Sequence, residues 1–182
     1  LCQHRAQPGR RGDRGRAQHA ATAVPLPRVA AGAGANIALA CDIVLAARSA
    51  KFIQAFSKIG LIPDAGGSWS LPRILGEPRA KALALLGEPL MAEQAESWGL
   101  IWKAVDDAAL LEEATALAEK LAAGPTVGLG LTKRLIQAAA DQDLDTHLDM
   151  ERDCQQTAGF TDDYAEGVIA FLGKRPAQFR GE

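Results

Sequence analysis

Lys58-Ile59-Gly60-Leu61-Ile62-Pro63-Asp64-Ala65-Gly66-Gly67-Ser68-Trp69 places one carboxylate between a proline and a Gly-Gly pair. Pro63 fixes its own φ, the two glycines reach backbone angles closed to other residues, and the apolar stretch 70–75 that follows predicts a helix. A carboxylate at such a corner has two readings. Asp64 is either the N-cap of the coming helix, its oxygens accepting orphan amide hydrogens, or an acid–base group aimed into a cleft.

The segment upstream favours the second. Val29-Ala30-Ala31-Gly32-Ala33-Gly34-Ala35-Asn36-Ile37-Ala38-Leu39-Ala40-Cys41-Asp42-Ile43-Val44-Leu45-Ala46-Ala47 reads as a small-residue loop, a short helix and an apolar strand. Amides opening such a helix lack intrahelical acceptors and can bind a negatively charged oxygen. Phosphate cradling is set aside, because Gly32-Ala33-Gly34-Ala35-Asn36-Ile37 lacks a third glycine and no Gly-Lys-Ser/Thr occurs in the chain. Ala35 and Ala38 read as close packing of that helix against the strand.

These segments, with Ala50-Lys51-Phe52, Trp98-Gly99-Leu100-Ile101-Trp102, Gly128-Leu129-Gly130-Leu131-Thr132-Lys133, Leu148-Asp149-Met150-Glu151-Arg152-Asp153 and Glu166-Gly167-Val168-Ile169-Ala170-Phe171-Leu172, resemble the crotonase (enoyl-CoA hydratase/isomerase) superfamily from Val29 onward. Within it the likeness is nearest to the isomerases of phenylacetate breakdown that act on epoxidised phenylacetyl-CoA. The resemblance implies an α/β fold, a crotonase-type ββα spiral with a C-terminal helical oligomerisation region that forms trimers, often paired as hexamers. It also implies which chemistry to expect. Hydratases of the superfamily handle water with two glutamates, and the matching positions here carry Asn36 and Phe56, an amide and a phenyl ring. Asp64 stands where the superfamily's isomerases place a catalytic carboxylate, and the Ala33 backbone N–H stands where one oxyanion-hole donor belongs. Gly34, Asn36, Phe56, Pro63 and Gly66 are the expected pocket. Trp69 is a further candidate for an aryl pocket.

The resemblance thus implies an acyl-CoA isomerase in which the thioester enolate is held by amides and Asp64 moves the proton. It needs no metal or redox cofactor, CoA being part of the substrate. Enoyl-CoA hydration is the alternative enzyme, and a catalytically inactive CoA-ester-binding subunit the alternative of another class.

Composition agrees. The 182 residues are 48% apolar, enough for one core, and the net charge of −2 gives no reason to expect nucleic acid or a membrane. Cys2, Cys41 and Cys154 are odd in number and widely spaced, which argues against a disulfide framework or metal site and for a cytoplasmic home.

Residues 1–28 read differently. They hold Arg5, Arg10, Arg11, Arg14, Arg16 and Arg28 against the single acid Asp13, without apolar periodicity, and predict a basic arm that stays disordered. The tripeptide Arg11-Gly12-Asp13 is a chance-level match to an integrin motif. A crotonase domain sets several strands before Val29, so the arm is expected to stand where part of the core is missing, and with it the second oxyanion donor. The expected divisions are therefore 1–28 arm, 29–105 later part of the core with the active site, and 106–182 helical region. Helices are expected over 77–86, 91–98, 107–121, 127–139, 144–154 and 162–172, a strand over 101–105, a solvent-facing His147 without an acid–base partner, and a solvated tail 174–180.

Overall fold

The computed structural model describes residues 21–182, which divide into two compact units, 22–117 and 118–182. In the first unit the chain alternates between two sheets. Strand β1 (Ala23–Leu26) enters one, β2 (Val29–Ala31) the other, helix α1 (Ala33–Leu39) follows, then β3 (Ile43–Ala47) returns to the first and β4 (Lys51–Ile53) to the second. Pairing is parallel, with Ala23 opposite Ile43 and Val29 opposite Lys51. One strand to each sheet per turn, with a helix between turns, is the ββα spiral. Later strands extend both sheets: β5 (Leu90–Met91) pairs antiparallel with β4, and β6 (Lys103–Val105) pairs parallel with β3.

β3 explains itself. Ile-Val-Leu-Ala-Ala is a continuous apolar run, and as the central strand of its sheet it is buried from Val44 to Ala47. The same core cluster holds Ala35 and Leu39 of α1, Leu71 and Leu75 of α2 (Gly67–Leu75), and Leu83 of α3 (Glu77–Leu86). Helix α4 (Ala92–Ser97) buries Ala92 and Ala95, and the first residues of α5 (Leu110–Ala122) bury Leu110 and Ala114.

One expectation is corrected. The arm was expected to run unstructured to Arg28, yet β1 lies inside it. Four residues are too few for alternation to declare itself, and Pro25 argues against a central strand. β1 is an edge strand of its sheet among the described residues, a place where a missing N–H does no harm. Its start is pinned by Thr22, whose amide and hydroxyl donate to Asp42 Oδ2 at 2.7 and 2.9 Å. Arg5 to Arg16, with the tripeptide they include, lie outside the described residues.

In the second unit α6 (Thr126–Ala138) packs on α7 (Leu144–Gly159), and α7 on α8 (Asp162–Leu172). Asp143 caps α7 by accepting from the Thr146 amide at 2.9 Å, and Thr161 caps α8 by accepting from Tyr164 at 3.1 Å. Helix positions follow the periodicity to within a few residues, except that α7 continues five residues past the expected Cys154. His147 departs from expectation. Its side chain is only 16% exposed, Nδ1 lies 3.0 Å from Gln142 Oε1, and Nε2 lies 3.7 Å from Glu151. The apolar flank of α7 carries it inward.

Candidate active site

α1 begins directly after Gly32, whose φ of 54° turns the chain out of β2. That conformation favours glycine, and a Cβ there would rest 3.5 Å from the Phe56 ring. The Ala33 amide, at the first helical position, has no intrahelical acceptor. A Cβ added at Gly34 would meet nothing within 4 Å, so the backbone of this loop is open to close approach.

Asp64 sits on the turn between the 3₁₀ helix Ala55–Ile59 and α2. It is not the helix cap. Gly66 holds that position with φ 82° and no side-chain cap bond. Ala65 has φ 46°, a left-handed conformation a non-glycine residue adopts only when its surroundings enforce it. What enforces it converges on one atom. The Asp64 carbonyl accepts from the Gly67 amide at 2.8 Å and from Asn36 Nδ2 at 3.0 Å. The Asp64 side chain itself is exposed, and no ion pair or hydrogen bond occupies its carboxylate among the described residues.

The expected pocket residues fall into two layers. Gly34 and Gly66 are exposed and Pro63 is half-buried, whereas Asn36 and Phe56 lie beneath, 2% and 7% exposed. Trp69 points to solvent and stacks on Arg73, the guanidinium carbon 3.9 Å from the ring centroid.

Gln54 was not singled out from the sequence. It is 3% exposed and donates from Nε2 to Asn36 Oδ1 at 2.8 Å, and its own Oε1 is buried without a partner. A signal existed. In Lys51-Phe52-Ile53-Gln54 the period of two puts Gln54 on the face of Phe52, a core residue.

A second polar cluster lies in the helical unit, a cleft of about 370 Å³ lined by Asp162, Asp163, Glu166, Arg175, Gln178 and Arg180. Its charges are spent on folding the chain back. Arg175 grips Glu166 with two bonds at 2.6 and 2.8 Å, the Gln178 amide donates to Glu166 at 2.8 Å, and buried Asp163 accepts from the Arg180 and Gly181 amides. Arg175, then the Gln178 amide, hold the Glu166 carboxyl down at about 2. The tail expected to be solvated is thus docked, because Arg175 and the backbone amides of Gln178, Arg180 and Gly181 all find acceptors on α8. Among the described residues no three His, Cys, Asp or Glu side chains cluster as a metal site, and no helix is long and apolar enough to cross a membrane.

Strands laid alternately into two sheets, with a glycine loop and an exposed carboxylate on a strained turn, define a crotonase-type α/β protein. The chain belongs to the enoyl-CoA hydratase/isomerase family, whose model matches residues 23–182. It is 60% identical over 154 residues to the 1,2-epoxyphenylacetyl-CoA isomerase of Escherichia coli, covering 85% of this chain and 59% of that protein. It is 48% identical to a "Probable enoyl-CoA hydratase" of Rhodobacter capsulatus, covering 84% of this chain and 59% of the relative. A crystal structure of an enoyl-CoA hydratase from Polaromonas sp. JS666 superimposes with a TM-score of 0.81 at 40% identity, over 84% of this chain and 60% of that one. The chain therefore spans about 59% of the length of the curated relatives it matches.

Proposed function

We propose that the chain carries the proton-transfer half of an acyl-CoA isomerase site, with a ring-epoxidised arylacetyl-CoA such as 1,2-epoxyphenylacetyl-CoA as substrate. The observation that carries this reading is the uncommitted carboxylate of Asp64 on its enforced turn, above an amide and a phenyl ring where the resemblance sets the two water-handling acids of hydratases. The 60% identity to the E. coli isomerase supports the substrate class.

The chemistry follows from one base and one oxyanion donor. Asp64 takes the proton from the carbon beside the thioester carbonyl, and the electron pair moves into the carbonyl as an enolate. The Ala33 amide donates to that oxygen. The protonated Asp64 returns the proton further along the acyl group, so one carboxyl acts as base and then acid and nothing is gained or lost overall. Assembly as a trimer or hexamer in the cytoplasm belongs to the same proposal. The large side chains of Leu148, Phe160 and Phe171, exposed on this chain, offer apolar area for it.

Asp64→Asn tests the reading. The amide keeps the shape and loses the proton chemistry, so turnover of a 3-enoyl-CoA should fall roughly 100- to 10,000-fold while acyl-CoA binding persists. Near-normal turnover would remove Asp64 from the mechanism. Turnover absent already in the parent chain that binds acyl-CoA would favour the inactive binding subunit.

A further inference from the structure

We propose that Asn36 and Gln54 are a positioning pair that fixes the Asp64 turn through the Asp64 backbone carbonyl. The catalytic consequence rests on the reading of Asp64 as the proton carrier, whereas the positioning itself does not.

The geometry runs one way. Asn36 Nδ2 donates to the Asp64 carbonyl, so its Oδ1 must face the other side, where Gln54 Nε2 donates to it. With the Gln54 amide in that orientation its Oε1 is left buried and unpartnered. A buried orphan acceptor is unfavourable, yet an apolar side chain at position 54 would only move it to Asn36 Oδ1. The choice of Gln54 is therefore about which amide is held, not about how many acceptors are paired. What Gln54 supplies is a fixed rotation of the Asn36 amide, and what Asn36 supplies is a second donor on the carbonyl that precedes Ala65 at φ 46°. A turn held in a sparsely populated conformation needs such over-determination. The fit is also steric. A Cβ at Gly67 would stand 2.2 Å from Asn36 Nδ2, so the helix start is shaped to admit this amide.

Gln54→Met separates positioning from packing. It removes the orphan Oε1 and creates another at Asn36 Oδ1, so the number of buried unpaired acceptors is unchanged and the unfolding midpoint should hold. The Asn36 amide is no longer fixed, however. Exchange of the Gly67 amide hydrogen, which shares the Asp64 carbonyl, should quicken about fivefold. Turnover number on a 3-enoyl-CoA should fall about tenfold, with KM nearly constant, because a misplaced base weakens the chemical step and leaves thioester binding alone. Asn36→Ala should show the same changes more strongly, and should also lose stability. If Gln54→Met leaves the Gly67 exchange rate unchanged, the pair does not hold the turn and the proposal fails. If exchange quickens but turnover number stays the same while Asp64→Asn is dead, the pair is structural only and its catalytic role fails. If Asp64→Asn is fully active, the functional reading falls and the exchange rate alone decides the pair.

Discussion

Gly67→Ala should be among the most damaging single substitutions in the first unit, and the structure sets the size of the effect. The added Cβ would lie 2.2 Å from Asn36 Nδ2, 2.5 Å from its Cγ and 2.7 Å from Oδ1. Contacts between non-bonded heavy atoms settle near 3.5–4.0 Å, so Asn36 must retreat by roughly 1 Å or more. It cannot do so and keep its bonds to Asp64 and Gln54. Overpacking of this kind costs about 1–3 kcal/mol, and each buried polar group left unpaired about 1–3 kcal/mol more. Against this, Ala is favoured over Gly in a helix by at most about 1 kcal/mol. The clash wins, and the net loss should be about 3–5 kcal/mol. Urea unfolding followed by far-ultraviolet circular dichroism measures it. Shrinking the neighbour should relieve it, so in an Asn36→Ala background the same substitution should cost less than about 1 kcal/mol. A loss below about 1 kcal/mol in the parent chain, or an equal loss in both backgrounds, would refute the close approach of Gly67 and Asn36.

With Asn36 and Phe56 in place of two acids, crotonyl-CoA should be hydrated negligibly, and robust formation of 3-hydroxybutyryl-CoA would turn the assignment to a hydratase. The docked tail should respond to acid. Glu166 is held at about 2 against an ordinary 4.5, so its contribution is whole above 4.5 and is lost as the pH falls toward about 2. Limited proteolysis of residues 174–182 should therefore accelerate on acidification across that window in the parent chain. Glu166→Gln should be cleaved faster at neutral pH and change little with acid, and identical profiles for the two chains would show that Arg175 and Glu166 do not hold the tail.

The fold was legible wherever composition and period spoke together. The run 43–47 reads as an apolar strand and 162–172 spaces its apolar residues as a helix does, and both are so in the structure. β1 was not legible, because four residues containing a proline carry no period and its pairing with β3 is a property of the sheet. At the site, the corner at Asp64 and the glycine loop could be read from proline and glycine positions. The cap reading of Asp64 could not be dismissed from sequence, since the pair Gly66-Gly67 leaves the first helical residue undefined. The structure decides it through Gly66. Gln54 was hidden for a different reason. Its partner lies 18 residues away on α1, and only tertiary structure brings an amide on a strand end beneath a loop.

The two positions that the resemblance sets against water chemistry also support the turn of the proposed base and the glycine loop. An ionised glutamate at position 36 would be an acceptor only and would face the Asp64 carbonyl with like partial charge. An amide donates there instead, at 3.0 Å. A glutamate at position 56 would bring a charge under Gly32, where the Phe56 ring now fills the space below a residue with φ 54°. On the proposed reading, Asn36 and Phe56 do more than lack the acids of a hydratase. Asn36 gives the Asp64 carbonyl a donor beside Ala65, and the Phe56 ring gives the glycine loop an apolar floor. On this argument, restoring the acids one at a time by Asn36→Glu or Phe56→Glu should not yield a hydratase. Each should loosen the Asp64 turn or the loop and lower isomerase turnover, and a single substitution that gained hydration without losing isomerisation would show that the two sites are independent.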